Sequence, residues 1–410
     1  MRVAFLLNDL QLSGGVGVIL THARNLAAHH EIDVTLVVVR EQESPDWAYE
    51  QLEHLHVMTL DAARAQQFDV VISTWWETAF TMFLVPAARY ASFVQSLEDR
   101  FYGPADAGER LGARVTLGLP VAFITEAQWI ADTLADLRPD AAVYLVRNGI
   151  DKECFPVAEA IEENTDRPLR VLVEGNPQVP FKGVREAIEA VRAMSEPSEL
   201  TIVAATRQGL PREEAGNAIG PLTQRELADV YARTDVLVKL SRVEGMYGPP
   251  LEGFHRGATC VTTEVTGHEE YIRHGENALI VDWDDERGTA SQLDLLARDR
   301  DLLHQLRRGA LETARGWPDW ETSSAAFATA VKAIAAAPLP GPYDHVPRLL
   351  ADVRAGIEGD RQSAKERREL IMDAQRWLKI REAPVIGHAF AARRWIVLVA
   401  SRRRALREGR

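Results

Sequence analysis

Short, unbroken apolar runs alternate with stretches of helical periodicity along most of the chain. Residues 2–7, 33–39, 69–74, 90–94, 121–125 and 142–146 each read as a strand buried on both faces. Between them, 16–28, a segment starting near Glu77, and 128–137 carry apolar residues at helical spacing. Continuously apolar strands separated by helices predict a parallel sheet covered on both sides. The pattern breaks across 156–168, which is polar and acidic, with Glu159, Glu162, Glu163 and Asp166, and reads as a linker. It then restarts, with strands at 169–174, 199–204, 235–240, 259–263 and 278–281 and helices near 184–194, 223–233, 250–257 and 290–315. Two doubly wound α/β units in tandem are therefore expected, with ligands taken beyond the carboxyl ends of the strands, in the cleft between the units. An alanine-rich helix over 322–336 is stopped by Pro338-Leu339-Pro340-Gly341-Pro342, and the rest reads as helical and increasingly basic.

Composition changes this picture little. A length of 410 residues suits two domains and an extension, and 46% hydrophobic with 26% charged residues is ordinary for a globular chain. Charge is more informative, because the net −13 is uneven: residues 361–410 carry +9, which leaves −22 on the first 360. An acidic body argues against non-specific nucleic-acid binding. The two cysteines, Cys154 and Cys260, have no CxxC or Cys/His ligand spacing, so a reducing, cytoplasmic compartment is expected. The first apolar stretch ends at Asn8, too short for a signal peptide. No run approaches the roughly 20 apolar residues of a membrane span.

Two loops carry candidate chemistry. Ser13-Gly14-Gly15-Val16-Gly17 follows the first strand and opens the first helix. Glycine there lets backbone N–H groups approach an anion at a helix N-terminus, although a tight β–α turn accounts for the same residues. The loop is not GxGxxG, and no suitably placed acidic residue follows the second strand, so a dinucleotide site is poorly supported. The run from Ser241 through Arg242, Val243, Glu244, Gly245, Met246, Tyr247, Gly248, Pro249, Pro250 and Leu251 to Glu252 is more specific, since it orders carboxylate, glycine loop, prolines and carboxylate between a strand and a helix. Pro250 suits a first helical turn. The N–H groups of Gly245, Met246, Tyr247 and Gly248 can hold a diphosphate while Glu244 and Glu252 accept hydrogen bonds from sugar hydroxyls. Two solvated glutamates beside a turn are the plainer alternative.

Glu244 and Glu252 stand at E-x7-E spacing. Together with Gly14-Gly15-Val16-Gly17, Arg147-Asn148-Gly149-Ile150-Asp151, the stretch from Glu174-Gly175 to Lys182-Gly183, and Val265-Thr266-Gly267-His268-Glu269-Glu270, they form an ordered set across nearly all of residues 1–335. In this set the chain resembles the retaining glycosyltransferases of GT-B fold, family 4 (glycosyl transferases group 1). The resemblance implies two Rossmann-like doubly wound domains facing a cleft: an acceptor domain over 1–158 and a nucleotide-sugar donor domain over 168–318. A crossover helix over 319–337 would pack back on the first domain, and a helical basic extension would occupy 341–410. The implied activity is metal-independent, retaining transfer from a nucleotide-sugar to a carbohydrate or lipid-linked acceptor, in cell-surface polysaccharide or glycan biosynthesis. No cofactor is implied, the nucleotide-sugar being a substrate whose base (UDP, GDP or dTDP) is left open. By the same resemblance Glu244 sits beside the donor sugar, Glu252 holds the ribose and Lys182 binds the diphosphate. Gly15, Asn176 and the 245–248 turn line the donor site. Glu270 lies near the donor sugar or the acceptor, or else caps the helix that follows it.

The chain departs from the family pattern in two places. Many members carry an Arg six residues before the diphosphate Lys, and here Asn176 stands there, with Arg185, Arg207 and Arg242 as possible replacements. A His often follows the strand placed at 90–94, and here Gln95 does, which can hydrogen-bond a sugar hydroxyl but carries no proton charge. Asp282-Trp283-Asp284-Asp285 looks like a DxD metal motif, but its place between a strand and a helix predicts capping. His29-His30 reads as a surface helix end, and no metal-ligand constellation is expected elsewhere. The segment 393–404 joins a short apolar run to two basic clusters, which suits an anionic membrane surface or, alternatively, packing on the acidic body. A catalytically silent sugar-nucleotide-binding or scaffold protein and a GT-B nucleotide-sugar epimerase are the competing readings. The epimerase would need acid–base groups in the cleft.

Overall fold

A computed structural model describes residues 1–11, 13–40, 50–163, 166–338, 343 and 345–382. Its first half runs β1 (Arg2–Leu7), α1 (Gly14–His29), β2 (Asp33–Val38), β3 (His56–Thr59), α2 (Leu60–Ala63), β4 (Phe68–Ser73), α3 (Trp76–Ala79), β5 (Ala87–Val94), α4 (Ala107–Leu117), β6 (Ala122–Thr125), α5 (Gln128–Leu137) and β7 (Val143–Leu145). The seven strands form one sheet in the order β3-β2-β1-β4-β5-β6-β7, and every pairing is parallel. Both faces are covered, as continuously apolar strands require. Val3, Phe5 and Leu7 of β1 point to one core and Ala4 and Leu6 to the other.

The second half runs β8 (Leu169–Gly175), α6 (Val184–Arg192), β9 (Ser198–Ala204), α7 (Gln224–Ala232), β10 (Val236–Lys239), α8 (Gly248–His255), β11 (Thr259–Thr263), β12 (Ala278–Val281), α9 (Glu286–Arg298) and α10 (Arg300–Gly316). Its five strands order as β12-β11-β10-β8-β9, again all parallel. The helix expected over 290–315 is two helices. Asp299 closes α9 and its carboxylate caps α10, accepting from the Leu302 N–H at 2.9 Å. Asp285 caps α9 in the same way, through the Gly288 N–H at 2.8 Å.

The chain leaves the first lobe earlier than the polar linker implies. Ile150 and Phe155 already pack in the second core, and the 156–163 stretch runs along that lobe, where Ala158 N–H donates to the His255 carbonyl at 2.8 Å and Arg307 donates to the Glu162 carbonyl at 2.9 Å. The return crossing lies beside the outgoing one. Ile150 N–H donates to the Pro318 carbonyl at 3.1 Å, and the Trp317 indole donates to the Asn148 carbonyl at 2.9 Å. Helix α11 (Trp320–Ala336) then packs Phe327, Val331 and Ile334 into the first core beside α1. Helix α12 (Val346–Glu382) seats Val346, Leu350 and Ile357 on the first lobe. Among the described residues, no helix is long and apolar enough to cross a membrane. The basic segment 393–404 lies outside the described residues.

Candidate active site

The site is built where β8 and β10 end. After β8 the Asn176 side chain accepts from the Gln178 N–H at 3.0 Å, so this amide is used in closing its own turn. A 3₁₀ turn, Pro180–Lys182, follows and leads to Gly183 at φ +62°. A Cβ on Gly183 would lie 2.1 Å from the Leu240 carbonyl oxygen. Only glycine supplies both the left-handed backbone and the space that let this loop rest on the end of β10. Arg242 N–H pins the contact by donating to the Phe181 carbonyl at 2.8 Å. The result is that Lys182 Nζ donates to both carboxylate oxygens of the buried Glu244, at 2.9 and 2.8 Å.

Glu244 leads into the glycine–proline turn. Tyr247 is fully buried and anchors the turn by donating from its hydroxyl to the Lys239 carbonyl at 2.8 Å. Gly248 and the two prolines then open α8. One turn on, Glu252 keeps a partly exposed surface while protein surrounds its carboxyl. Burial first, and then the charge of Glu174, push its pKa to about 8, with Lys239 acting in the opposite direction. Lys239 is buried and donates to Glu174 at 2.8 Å. Burial disfavours its charge, but Glu174, Glu244 and Glu252 together hold its pKa above the ordinary lysine value.

The first lobe meets this turn face to face. Ser13 caps α1, accepting from Val16 N–H at 3.2 Å, and Gly15 lies under Gln95, whose amide donates to the Gly15 carbonyl at 3.3 Å. The Gln95 backbone presses on the glycine–proline turn, since a Cβ on Gly245 would lie 1.8 Å from the Gln95 carbonyl oxygen. The Trp129 indole donates to the Gly245 carbonyl at 3.0 Å. Glu126, at the end of β6, accepts from Met246 N–H at 3.1 Å and from the Asn148 amide at 2.7 Å. The Met246 N–H, expected to face a diphosphate, is thus taken by a carboxylate of the other lobe. Burial raises the Glu126 pKa to about 7; the two hydrogen bonds lower it and the charge of Glu244 raises it.

Lys182, Glu244, Gly245, Met246, Gly15 and Gln95 therefore come together where the lobes meet, whereas Tyr247 is buried in the second core, Gly248 opens α8, and Glu252 lies behind the turn beside Glu174 and Lys239. Glu270 has a different part. Its nearly buried carboxylate accepts from Gln128 N–H and from Arg147 Nε at 3.1 Å, so it caps α5 of the opposite lobe rather than the helix after it. Of the suggested replacement cations, Arg242 is committed to Asp284 and Glu186, Arg185 pairs with Glu189, and Arg207 donates to the Ala218 carbonyl at 3.2 Å. Two residues were missed by sequence reasoning: Glu126 and Arg100. Glu126 had a signal, because it stands just beyond a parallel strand's carboxyl end. Arg100 reaches Thr266 across the cleft at 2.9 Å, a contact no local pattern announces.

Two parallel-sheet lobes meeting across such a face define a GT-B protein. Within that class, the family model described as glycosyl transferases group 1 matches residues 168–299, in the second lobe. The chain is similar to D-inositol 3-phosphate glycosyltransferase of Corynebacterium urealyticum, at 26% identity over 190 residues, 46% of this chain and 41% of that protein. It thus spans less than half the length of that curated relative. The fold is also that of sucrose-phosphate synthase from Thermosynechococcus elongatus, with a TM-score of 0.66, 15% identity, and 81% and 98% of the two chains covered. Anabaena HepE in complex with UDP and glucose matches at a TM-score of 0.64 and 13% identity, with 81% and 100% covered.

Proposed function

We propose that this chain is a glycosyltransferase that moves a sugar from a nucleotide-sugar to a carbohydrate or lipid-linked acceptor, with retention and without a metal ion. The observation that carries the reading is the Lys182–Glu244 pair on the interlobe face, with Glu252 one helical turn behind it. The family match of the second lobe supports the donor class, as does the UDP and glucose held by HepE.

In the reaction the bond between the sugar's anomeric carbon and the diphosphate oxygen breaks, and the acceptor hydroxyl oxygen bonds to that carbon on the same face. The acceptor's proton passes to the departing phosphate oxygen. Negative charge grows on that oxygen, and Lys182 with the backbone N–H groups opening α6 and α8 meet it. Glu244 accepts from donor-sugar hydroxyls and Glu252 from the ribose. Contact between the lobes through Gln95, Glu126 and Trp129 excludes water, limiting donor hydrolysis.

A thermal-shift screen across UDP-, GDP- and dTDP-sugars identifies the donor, and a transfer assay with NMR of the product's anomeric centre tests retention. Lys182→Ala is expected to lower kcat by about 100-fold, the size typical of losing one transition-state charge contact. Glu252→Ala is expected chiefly to weaken donor binding. Activity should persist in excess EDTA, and loss restored by Mg²⁺ or Mn²⁺ would contradict the metal-free mechanism. Wild-type kinetics from both variants would remove the site assignment. Donor affinity without turnover in the wild type would identify a silent binding module instead.

A further inference from the structure

We propose that Arg100, carried by the first lobe, is the second cation on the donor diphosphate; this inference rests on the donor reading above. A nucleoside diphosphate brings at least two negative charges to the site, and more develops as it leaves. Lys182 supplies one positive charge and already faces Glu244. Asn176 is neutral and occupied with its own turn. In the second lobe, Lys239 is buried against Glu174 and Arg242 is held by Asp284 and Glu186.

Arg100 sits in the 3₁₀ turn Glu98–Phe101 that follows β5. Its Nη1 crosses the cleft to donate to Thr266 Oγ1 at 2.9 Å, and Thr266 Oγ1 in turn donates to the Glu244 carbonyl at 3.2 Å. The next residue, Phe101, stacks on Phe181 with ring centroids 5.4 Å apart, and Phe181 is the neighbour of Lys182. Arg100 and Phe101 therefore straddle the Lys182–Glu244 pair. The described partners of the guanidinium are both neutral, the Thr266 hydroxyl and the Trp129 ring 5.5 Å from its carbon. No carboxylate among them offsets its charge, so a phosphate can.

The turn is held for this task. Glu98 is partly buried and accepts from the Trp76 N–H at 2.6 Å, and Trp75 also stacks on Phe101, at 5.9 Å. A guanidinium fixed at its root offers the two-pronged geometry that suits phosphate oxygens. Because it belongs to the first lobe, it reaches the diphosphate only when the lobes are together, which couples donor binding to closure.

The test is calorimetry on the full chain with UDP, GDP and dTDP and the matching monophosphates, followed by the base that binds most tightly. The wild type is expected to bind the diphosphate more tightly than the monophosphate. Arg100→Ala should lose about 10- to 100-fold in diphosphate affinity, the range expected for charged hydrogen bonds, and most of the di- over monophosphate preference. Arg100→Gln can still donate to Thr266 but has no charge, and should lose as much. Arg100→Lys should fall between. Wild-type diphosphate affinity in Arg100→Ala overturns the proposal, as does an equal loss for both ligands, which marks a residue that only holds the lobes. If the wild type binds none of the diphosphates, the donor reading itself fails and takes this inference with it.

Discussion

Glu252 pairs a proposed donor-binding position with an energetic cost. Its pKa of about 8 in the folded protein compares with 4.5 for the free side chain. Between these values the native state holds a proton that the unfolded chain has released, so the carboxyl's contribution to stability falls as pH rises through that window. Glu252→Gln removes the titration. Its melting temperature should exceed wild type by several degrees at pH 8.5 and match it at pH 5, while donor affinity falls at both. Differential scanning fluorimetry across pH checks this, and equal melting temperatures at pH 8.5 would contradict the assigned environment. At this scale the sequence was legible where a residue's neighbours lie on its own loop. Glu244 and Glu252 flank one turn and were grouped by their spacing, whereas Lys182, from the end of the neighbouring strand, was placed by the family resemblance alone. Glu126, Arg100 and the true partners of Glu270 were hidden because they meet across the lobes, from segments 120 or more residues apart in all three cases.

Elements were read from apolar runs, and their errors follow from that. Buried β1, β10 and β12 are mostly apolar runs and were plain, and β11 (TCVTT) is β-branched throughout except for Cys260. β3 was missed because it is an edge strand whose His56 and Val57 are exposed, so it needs no apolar run. α4 was missed because its buried face is largely Gly108, Gly112 and Ala113, small residues that carry little hydrophobic signal. Their smallness has a purpose in the docking of α12. A Cβ on Gly112 would lie 2.5 Å from the Trp76 ring and 2.6 Å from Ile357, so glycine lets α12 close over Trp76. Ion pairs from Arg361 to Glu109 at 2.8 Å and Glu77 at 3.1 Å add to the seat, though exposed pairs contribute little. Gly112→Val should therefore lift α12 from the lobe, because overpacking a tight contact typically costs about 1–3 kcal/mol. Limited trypsin digestion should then cut faster at Arg348 and Arg354. Unchanged cutting would mean that α12 is held by something other than this contact.

For the whole molecule, the proposed function requires two lobes that part to admit a donor and meet to use it. Among the described residues the contacts that join them are mostly polar, among them Trp129 to Gly245, Glu126 to Met246, Arg100 to Thr266, and Arg147 with α5 to Glu270, beside the aromatic stack of Phe101 on Phe181. Interfaces of this kind favour motion over a fixed arrangement. The motion has to bend the two chain crossings, which lie side by side near residues 149 and 319. A Cβ on Gly149 would sit 2.3 Å from the Asp319 carbonyl carbon and 2.4 Å from Trp320 N, so only glycine lets the strands touch here. Gly149→Ala should push them apart and change how the lobes approach, without touching any residue on the interlobe face. Both kcat and KM are then expected to worsen together, by about 10-fold in kcat/KM, as changes in hinge residues do. Small-angle scattering with saturating nucleoside diphosphate should show less compaction than in the wild type. If compaction and kinetics were both unchanged, closure would have to pivot elsewhere, and the paired crossings would be a passive link between the lobes.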